Sequence, residues 1–580
     1  MLVEYGSYAC AHCRRAHDRI VDLRDEFGDR LAHAFRHRPL PGNDLALAAA
    51  ELAERAAEQG KFWRAHVALM TRSDSLRHAD LERIADELGL PPPSATAAKR
   101  AGRRVRRDTA GAEASGVLIT PTFFINGRRY DGPWDDASFG EAMDGALGYR
   151  VRAAALDFMN WTPSSGILLL IATLLALLLS NSGLAPALTA LWQRDVGFIW
   201  DGGGFTLPLI RWVNDGLLTI FFLVVGLEIK REFTVGQLSS RRLAAMPIAA
   251  SLGGMIVPAG IYLLLIPSGP WLHGWGVPIG TDTAFAVALI AAMGPRVPIE
   301  LRVFLTAAAI IDDIGAILIV ALFYSEGIHV LYLALSLPIV AALAALNRAS
   351  VYRIAPYALL GVALWFCIHE GGIHATLAGV LLALFIPTRP PPDFQALMAQ
   401  SDAIVANETL AGPVEMRHML SPRALRAIDA IHDRLESPAD RLLRHVELRS
   451  SYIVLPIFAF ANAGVTLAPG LLDDRGLLVT AIVAGLVVGK PVGLCAFSYA
   501  AVKAGLAKKP DAYGWNQVLG AGCLAGIGFT MSLFIAGQSY PLAADFDAAK
   551  VAIFIASILS AILGVGMLWR MGRGDASETA

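Results

Sequence analysis

The stretch "AAAIIDDIGAILIV" at residues 307–320 places two adjacent carboxylates, Asp312 and Asp313, inside an otherwise apolar run. A charge at the bilayer centre costs roughly 2.5–3.5 kcal/mol on insertion scales, so two cost roughly 5–7 kcal/mol. That is about the net stability of a whole domain. A structural explanation would pair the acids with a base between helices. A functional one is favoured, because carboxylates both ligate hard cations and bind protons.

The composition indicates a polytopic membrane protein. The chain has 580 residues, of which 55% are hydrophobic and only 17% are charged. Its mean hydropathy is +0.50, whereas a soluble domain is typically about one quarter charged. The net charge of -1 argues against a nucleic-acid partner. No GxxxxGK[ST] motif for ATP is present, and five cysteines are too few for a disulfide framework.

The chain divides into unlike halves. Residues 1–150 are charged throughout, residues 151–163 form a linker, and apolar stretches recur from residue 164 onward, within a membrane domain of 164–580. A polar interruption at about 388–448 is predicted to be a cytoplasmic loop with helical pieces. Twelve candidate transmembrane spans begin near residues 164, 212, 243, 278, 299, 328, 353, 371, 451, 475, 514 and 547. Lys and Arg concentrate after the even-numbered spans, which predicts that both termini are cytoplasmic.

Further polar residues occur in the apolar half. Lys490 lies deep in the tenth span, within "GLVVGKPVG", where the flanking Gly and Pro indicate a locally opened helix. Thr281 and Asp282 lie in "VPIGTDTAFA", a Gly/Pro-interrupted segment, and "AGIGFTMSLF" in the last third is interrupted similarly. Two interrupted segments in corresponding positions of two halves indicate a transport site. Lys490 is therefore a candidate partner for one of the two acids.

These motifs carry a resemblance. The stretches "NDGLLTIFFLVVGLEIKREF", "TDTAFA", "AAIIDDIGAI", "IHATLAGV", "LPIFAFANAGV", "GLVVGKPVG" and "GIGFTMSLFIA" occur in this order over nearly the whole membrane half. Residues 164 to about 572 thereby resemble the NhaA family of bacterial Na+/H+ antiporters. The resemblance implies an all-α membrane domain of about twelve helices, built from inverted repeats with two broken helices.

The resemblance also implies residue roles at the ion site. Asp313 would be the main ion-binding and proton-carrying carboxylate, and Asp312 would share the Na+ site and pair with Lys490 when sodium is absent. Thr281 and Asp282 would lie where the broken helices cross. There Asp282 would compensate the positive ends of half-helices, while Lys490 would face the negative ends.

Other implied roles lie further from these acids. Asp215 would line the route to the site and contribute to ion and proton binding. Glu228, Arg231, Glu232 and His374 would take part in the pH response, although an interfacial charge and a satisfied buried histidine are alternatives for Glu228 and His374. The stretch "RHVELRSSYIVLP" departs from the family pattern on the cytoplasmic side, where the departure bears on the pH profile.

The expected function is exchange of cytoplasmic Na+ or Li+ for external H+ across a bacterial inner membrane, in sodium and pH homeostasis. The chain is expected to be a transporter and not an enzyme, apart from an accessory thiol activity. Expected partners are Na+, Li+, H+ and the lipid bilayer, with a homodimer as a candidate assembly and no cofactor. One alternative is another cation- or proton-coupled transporter on the same fold. Another is a membrane-anchored thiol–disulfide oxidoreductase.

The front half carries a CxxC motif. In "YACAHC", Cys10 and Cys13 follow a strand-like start and precede a helical pattern, so the helix N-terminus would lower the Cys10 pKa. With Thr120-Pro121 before a strand, residues 1–150 resemble a DsbA-like thioredoxin-fold α/β domain with a helical insertion at about 44–110. The resemblance implies a redox-active dithiol of Cys10 and Cys13 beside Pro121. Half of a zinc site is the alternative, and a thiol reductase, a redox sensor and a chaperone-like remnant all stay open.

Overall fold

The structure is a computed structural model, and it describes most of the chain. The residues outside the description are 29–30, 72–75, 133–162, 201–202, 235, 237–240, 326, 389–393, 412–423, 425, 430, 432–435, 468–469 and 572–580. The chain separates into two compact units, Met1–Phe158 and Met159–Ala580. Almost all of the predicted linker at 151–163 lies outside the described residues, so the predicted domain boundaries stay predictions.

The front unit is an α/β fold around one small sheet. Its elements are β1 (Leu2–Gly6), α1 (Ala11–Phe27), β2 (His33–His37), α2 (Asp44–Ala57), α3 (Phe62–Thr71), α4 (His78–Glu87), α5 (Ala95–Ala114), β3 (Thr122–Ile125) and β4 (Arg128–Tyr130). The strand order is β2-β1-β3-β4. Strand β1 pairs in parallel with β2 and antiparallel with β3, and β4 is antiparallel to β3. The predicted helical insertion corresponds to α2–α5.

Local sequence explains where these helices start. Asn43 caps α2 by accepting a hydrogen bond from Ala46 N, and Ser94 caps α5 in the same way from Ala97 N. Cys10 is the N-cap residue of α1. Strand β3 follows the cis peptide bond between Thr120 and Pro121. Together these features place the CxxC motif and the proline loop at the same edge of the sheet.

The described residues of the second unit are almost entirely helical, with one pair of antiparallel strands. Its first elements are α6 (Ser164–Ser180), α7 (Ala185–Trp192), β5 (Asp195–Trp200), β6 (Gly203–Pro208), α8 (Leu209–Thr234) and α9 (Arg241–Leu265). After a 3-10 segment (Leu272–Ile279) come α10 (Thr283–Ala292), α11 (Ile299–Phe323), α12 (Val330–Arg348), α13 (Ile354–Glu370), α14 (Leu377–Phe385), α15 (Phe394–Ala411) and α16 (Pro438–Arg449). The last are α17 (Leu455–Asn462), α18 (Gly476–Lys503), α19 (Trp515–Ala525), α20 (Phe529–Ser539) and α21 (Ala543–Met571).

Length and apolar composition identify the helices that can cross a membrane. Among the described residues, seven are long and apolar enough, or nine if each of two bent helix pairs is one span. The chain is thus a multi-pass membrane protein, as predicted. The predicted number of twelve spans is not reached by this criterion, because several helices are short or interrupted, and it stays a prediction.

Two interrupted segments pass against each other in this unit. In the first, the 3-10 segment ends at Ile279 and α10 begins at Thr283. In the second, α19 and α20 are bent by 48° at their break. Asp282 N donates to the Ile527 carbonyl at 2.6 Å, which ties the two breaks together. A Cβ added at Gly280 would lie 2.8 Å from Ser532 N, so this approach requires glycine.

Helices α9 and α18 also pack at close range. A Cβ added at Gly253 would lie 2.1 Å from the Gly493 carbonyl oxygen, so only glycine allows this backbone contact. Residues Gly485–Gly489 of α18 form a π-helical turn immediately before Lys490. The locally opened helix expected from the sequence is this wider turn, a feature often found at functional sites.

Candidate ion site in the membrane unit

Asp282 holds the two helix breaks together. It is 1% exposed. One carboxylate oxygen accepts from Phe285 N at 3.0 Å, in the first turn of α10. The other accepts from Thr530 N at 3.0 Å and Thr530 Oγ1 at 2.8 Å, in the first turn of α20. One negative charge therefore caps two helix N-termini.

Lys490 occupies the complementary position. Its side chain is 1% exposed. The ammonium group donates to the Ile279 carbonyl, at the C-terminal end of the 3-10 segment, and to Asp312 Oδ2. A positive charge at a helix C-terminus is favourable because the carbonyl dipoles point outward there. Lys490 thus faces a negative helix end and pairs with Asp312.

Asp312 is held by donors from three helices or segments. Besides Lys490, Thr281 Oγ1 donates to Asp312 Oδ2, and Ser251 Oγ lies 3.5 Å from Oδ1. The cavity beside this pair has a volume of only about 10 Å³, scarcely one water position. In this conformation the Asp312 carboxylate is occupied by protein donors, so a cation can bind it only if the contact between Asp312 and Lys490 breaks.

Asp313 differs from its neighbour in having one open oxygen. Thr283 Oγ1 donates to Asp313 Oδ2 at 2.8 Å. Within the described part of the chain, Asp313 Oδ1 is buried and has no hydrogen-bond partner. The whole residue is 1% exposed. A buried carboxylate oxygen that lacks a donor is expensive unless a proton or cation binds it, so Asp313 is the chemically incomplete member of the cluster.

Asp215 lies in a different environment from these acids. It is buried in a π-helical turn of α8, and Trp365 Nε1 donates to its carbonyl at 2.8 Å. The Asp215 carboxylate lies 4.0 Å from His369 Nδ1, and the His369 ring stacks on Trp365 at 5.4 Å. Among the described residues the structure pairs Asp215 with His369 and not with Asp312, Asp313 or Lys490. A place in the route to the site stays a prediction.

The residues expected to respond to pH fall in two places. Glu228 lies near the end of α8, close enough to Glu447 of α16 for their charges to repel. Arg231 Nε lies 3.5 Å from Asp440, also on α16. Glu232 is on the same turn of α8 and also contributes negative charge at Glu228. His374 is separate from this group: its Nε2 lies 3.1 Å from the Tyr324 carbonyl oxygen.

The dithiol of the front unit has the geometry that a reactive cysteine needs. Cys10 Sγ lies 3.4 Å from the Thr120 carbonyl oxygen, beside Pro121, and Ser7 N donates to Cys13 Sγ at 3.5 Å. A hydrogen bond from the Cys13 side chain, helped by the backbone N–H groups of His12 and Cys13, lowers the Cys10 pKa to about 5 despite partial burial. The same hydrogen bond, together with burial, raises the Cys13 pKa.

The zinc alternative for the CxxC motif receives no support from the described residues. The one group of three possible ligands found among them is His37, Glu54 and Asp108, which contains neither cysteine. Its two carboxylates are already paired, Glu54 with Arg104 at 3.1 Å and Asp108 with Arg36 at 2.9 Å. This group therefore behaves as an internal ion-pair network.

Comparison with known proteins identifies the family. A family model described as "Na+/H+ antiporter 1" matches residues 156–568. A curated relative from Nitrosospira multiformis, a Na(+)/H(+) antiporter NhaA, is 56% identical over 584 residues, which covers 98% of this chain and 94% of the relative. The chain belongs to the NhaA family of Na+/H+ antiporters. An NhaA antiporter from Wolinella succinogenes is 38% identical over 417 residues, 71% of this chain and 92% of its own length.

The front unit has relatives of its own. A family model described as "Thioredoxin" matches residues 1–145. A thioredoxin-like oxidoreductase from Silicibacter pomeroyi is 27% identical and covers 25% of this chain and 86% of its own, with a TM-score of 0.23. The chain therefore combines an NhaA antiporter with a thioredoxin-like domain. The Nitrosospira relative matches both parts, since its alignment covers nearly the whole chain.

NhaA membership favours transport over the alternative of a membrane oxidoreductase as the main function. The sequence analysis missed three polar side chains of the ion site: Ser251, Thr283 and Thr530. Thr283 could have been found, because it follows Thr281 by two residues in "TDTAFA". Thr530 could not, since it meets Asp282 from 248 residues away.

Proposed function

We propose that Asp313 carries either the sodium ion or the proton in each transport cycle. Its open oxygen supports this role, because a single buried carboxylate cannot hold a proton and ligate a cation well at the same time. Protonation from outside would expel Na+, and loss of that proton inside would restore the site. Exchange then follows from competition for one group, and no ATP is needed.

Asp312 and Lys490 supply the second part of the mechanism. When Na+ arrives, Asp312 would turn from the ammonium group to the ion, so the Lys490 interaction competes with sodium. The Ile279 carbonyl would then keep Lys490 in place until Na+ leaves. The Asp312–Lys490 pair thus returns the site to a closed, cation-free state, and Li+ would use the same oxygens.

The observation that carries this proposal is that Asp313 Oδ1 is buried with no hydrogen-bond donor among the described residues. In everted membrane vesicles, Asp313→Asn should insert normally yet give no Na+-driven pH change, because an amide can neither exchange protons nor offer full charge. Asp547→Asn is the matched control: the same chemical change in α21, at a carboxylate bonded to Lys550. Sodium-driven proton movement in the Asp313→Asn vesicles would refute the mechanism.

The remaining transport proposals concern topology. We propose that the membrane unit has twelve spans arranged as an inverted repeat. We also propose that the protein lies in the bilayer of the inner membrane, with both termini in the cytoplasm, and that it forms a homodimer there. The excess of Lys and Arg after even-numbered spans supports this orientation. Labelling of single cysteines placed in successive loops of a cysteine-free variant tests it. If a cysteine in the front domain were labelled only by reagent added outside the cell, the true orientation would be the opposite of the one proposed.

For the front unit we propose thiol–disulfide exchange through Cys10 and Cys13 in the cytoplasm, acting as a reductase because thiols are kept reduced there. The low Cys10 pKa and its place at the start of α1 support this. Cys10 alkylation should rise as pH passes through about 5, since the thiolate is the reactive form. Cys10→Ser should remove disulfide reduction, and retention of that activity would place the reaction elsewhere.

A further inference from the structure

Three buried histidines lie in the core of the front unit, which also contains the dithiol. His17 lies on α1, His33 on β2 and His66 on α3, and all three side chains are nearly excluded from solvent. The rings of His17 and His66 are 5.2 Å apart. Glu4 of β1 is 1% exposed, and its carboxylate lies 3.2 Å from His33 Nε2. So many ionisable groups in the core of a small domain require an explanation, because burying them is unfavourable.

In the described part of the unit, His17 Nε2 is buried without a hydrogen-bond partner, as is Glu4 Oε1. One ring nitrogen of His33 and one of His66 also lack partners among the described residues, but only His17 of the three lies on the same helix as Cys13. Cys13 and His17 are four residues apart on the buried face of α1, so their Cβ atoms lie roughly 5–6 Å apart. Burial lowers the pKa of His17, so its imidazole is neutral at pH 7 and can accept a proton.

The reaction of the dithiol creates a need for such a base. In the reduced protein the Cys13 thiol donates to the Cys10 thiolate. Once Cys10 forms a mixed disulfide with a substrate, that thiolate no longer exists, yet Cys13 must lose its proton to attack. Cys13 is 0% exposed, so bulk water has no direct access to the thiol. His17, one helical turn away on α1, is therefore a candidate acceptor for the proton.

We propose that His17 accepts the Cys13 proton when Cys13 resolves the mixed disulfide, and that Glu4 stabilises the imidazolium that forms. The inference rests on the exchange activity proposed above. The Cys13 thiolate attacks Cys10 Sγ, the Cys10–substrate S–S bond breaks, and the substrate sulfur leaves as a thiolate. The substrate gains the two electrons that the dithiol loses, and the His17 proton passes afterwards to solvent or to the departing thiolate.

The groups around His17 are consistent with this assignment. Glu4 and Asp18 favour the protonated ring, whereas His33 and Arg24 disfavour it. His66, which faces His17 from α3, accepts or donates a hydrogen bond at Tyr8 OH, 3.1 Å away, and burial lowers its pKa to about 2. His66 therefore stays neutral and cannot compete for the proton.

The test uses the full chain in detergent, with Cys367, Cys495 and Cys523 replaced by Ala so that two thiols remain. Reduced protein is mixed with dithiobis(nitrobenzoate), which gives one coloured thiolate when Cys10 attacks and a second when Cys13 resolves the adduct. For His17→Gln we expect an unchanged first phase and a second phase at least about tenfold slower at pH 7. The difference should shrink as pH rises further, because hydroxide then increasingly replaces the internal base.

Two further variants keep the result interpretable. His17→Glu restores a base whose pKa the nearby Glu4 raises, so it should recover part of the second phase even if His17→Gln disturbs folding. His37→Gln is the matched control, since His37 is equally buried but its Nε2 faces Glu54 at 3.1 Å; its second phase should keep the wild-type pH profile.

Failure of the His17 inference and failure of the proposed exchange function would give different results. A second phase in His17→Gln that matches wild type at every pH would overturn the inference and leave the exchange function standing. The same holds if Glu4→Gln slows the second phase while His17→Gln does not, because Glu4 would then take the proton directly. If the wild-type chain releases no coloured thiolate at any pH, the proposed exchange function itself fails.

Discussion

Asp282 and Asp313 are both buried carboxylates beside the same helix crossing, but their hydrogen bonds differ. Asp282 accepts from Phe285 N, Thr530 N and Thr530 Oγ1, so both of its oxygens are satisfied. Asp313 accepts from Thr283 Oγ1 alone, and its other oxygen has no donor among the described residues. A saturated carboxylate stabilises the crossing, whereas an unsaturated one has binding capacity to offer a cation or proton.

Lys490 pairs with Asp312, the residue next to Asp313, and its removal should have the largest effect on stability. Lys490→Met leaves Asp312 buried without a positive partner, which typically costs about 3–5 kcal/mol. We expect a clearly lower melting temperature of the purified protein and a raised apparent KM for sodium.

The double variant Lys490→Met, Asp312→Asn sharpens this prediction. It should recover much of the melting temperature, since no unpaired charge stays buried, but it should not recover exchange. An unchanged melting temperature in Lys490→Met alone would mean that Lys490 does not hold Asp312 in the membrane-embedded protein.

The next effect is expected at Asp282. Asp282→Ala removes the caps of α10 and α20, at about 1 kcal/mol for each lost cap. Asp282→Asn should keep most of that stability, since Asn is also a good capping residue, and should keep measurable Na+/H+ exchange in vesicles. If Asp282→Asn stays folded but transports as little as Asp313→Asn, the distinction between the two acids is wrong.

A smaller effect is expected where Thr283 meets Asp313. Thr283→Val keeps the shape of the side chain but removes its hydrogen bond, worth about 1 kcal/mol, which corresponds to about a fivefold rise in the KM for sodium. Thr173→Val is the control, because Thr173 Oγ1 donates only within its own helix, to the Leu169 carbonyl. Equal KM values for the two variants would remove Thr283 from the site.

The sequence was sufficient for part of this comparison. Asp312, Asp313 and Lys490 could be singled out because charges in apolar spans are unusual, and the resemblance to NhaA supplied their expected roles. The saturation of Asp282 was not predictable in the same detail, since Thr530 reaches it from 248 residues away. The span number was also hard to fix, because α14 and α17 are too short to be recognised by length alone.

In the front unit, too, contacts between residues far apart in sequence could not be predicted. "YACAHC" with Thr120-Pro121 was enough for the thioredoxin-like fold and for a lowered Cys10 pKa. Glu4, His17, His33 and His66 gave no signal, because they are spread over two strands and two helices and approach one another only after folding. Periodicity reports which face of an element is buried, but not which polar groups from different elements meet there.

The smallest effect is expected from removing the front unit. Asp282, Asp312, Asp313 and Lys490, with the donors that hold them, all lie in the unit Met159–Ala580. Deletion of residues 1–150 should therefore leave the sodium KM and the rate of exchange within about twofold, since no group of the ion site changes. Vesicles that contain equal amounts of inserted protein, checked by a C-terminal tag, give the measurement. A truncated chain that inserts but cannot exchange sodium would show that the antiporter depends on the front unit.

Oxidation of Cys10 and Cys13 in the full chain, with Cys10→Ser as control, should likewise leave the pH profile of sodium exchange unchanged. A shift of that profile on oxidation that Cys10→Ser abolishes would show that the dithiol regulates transport.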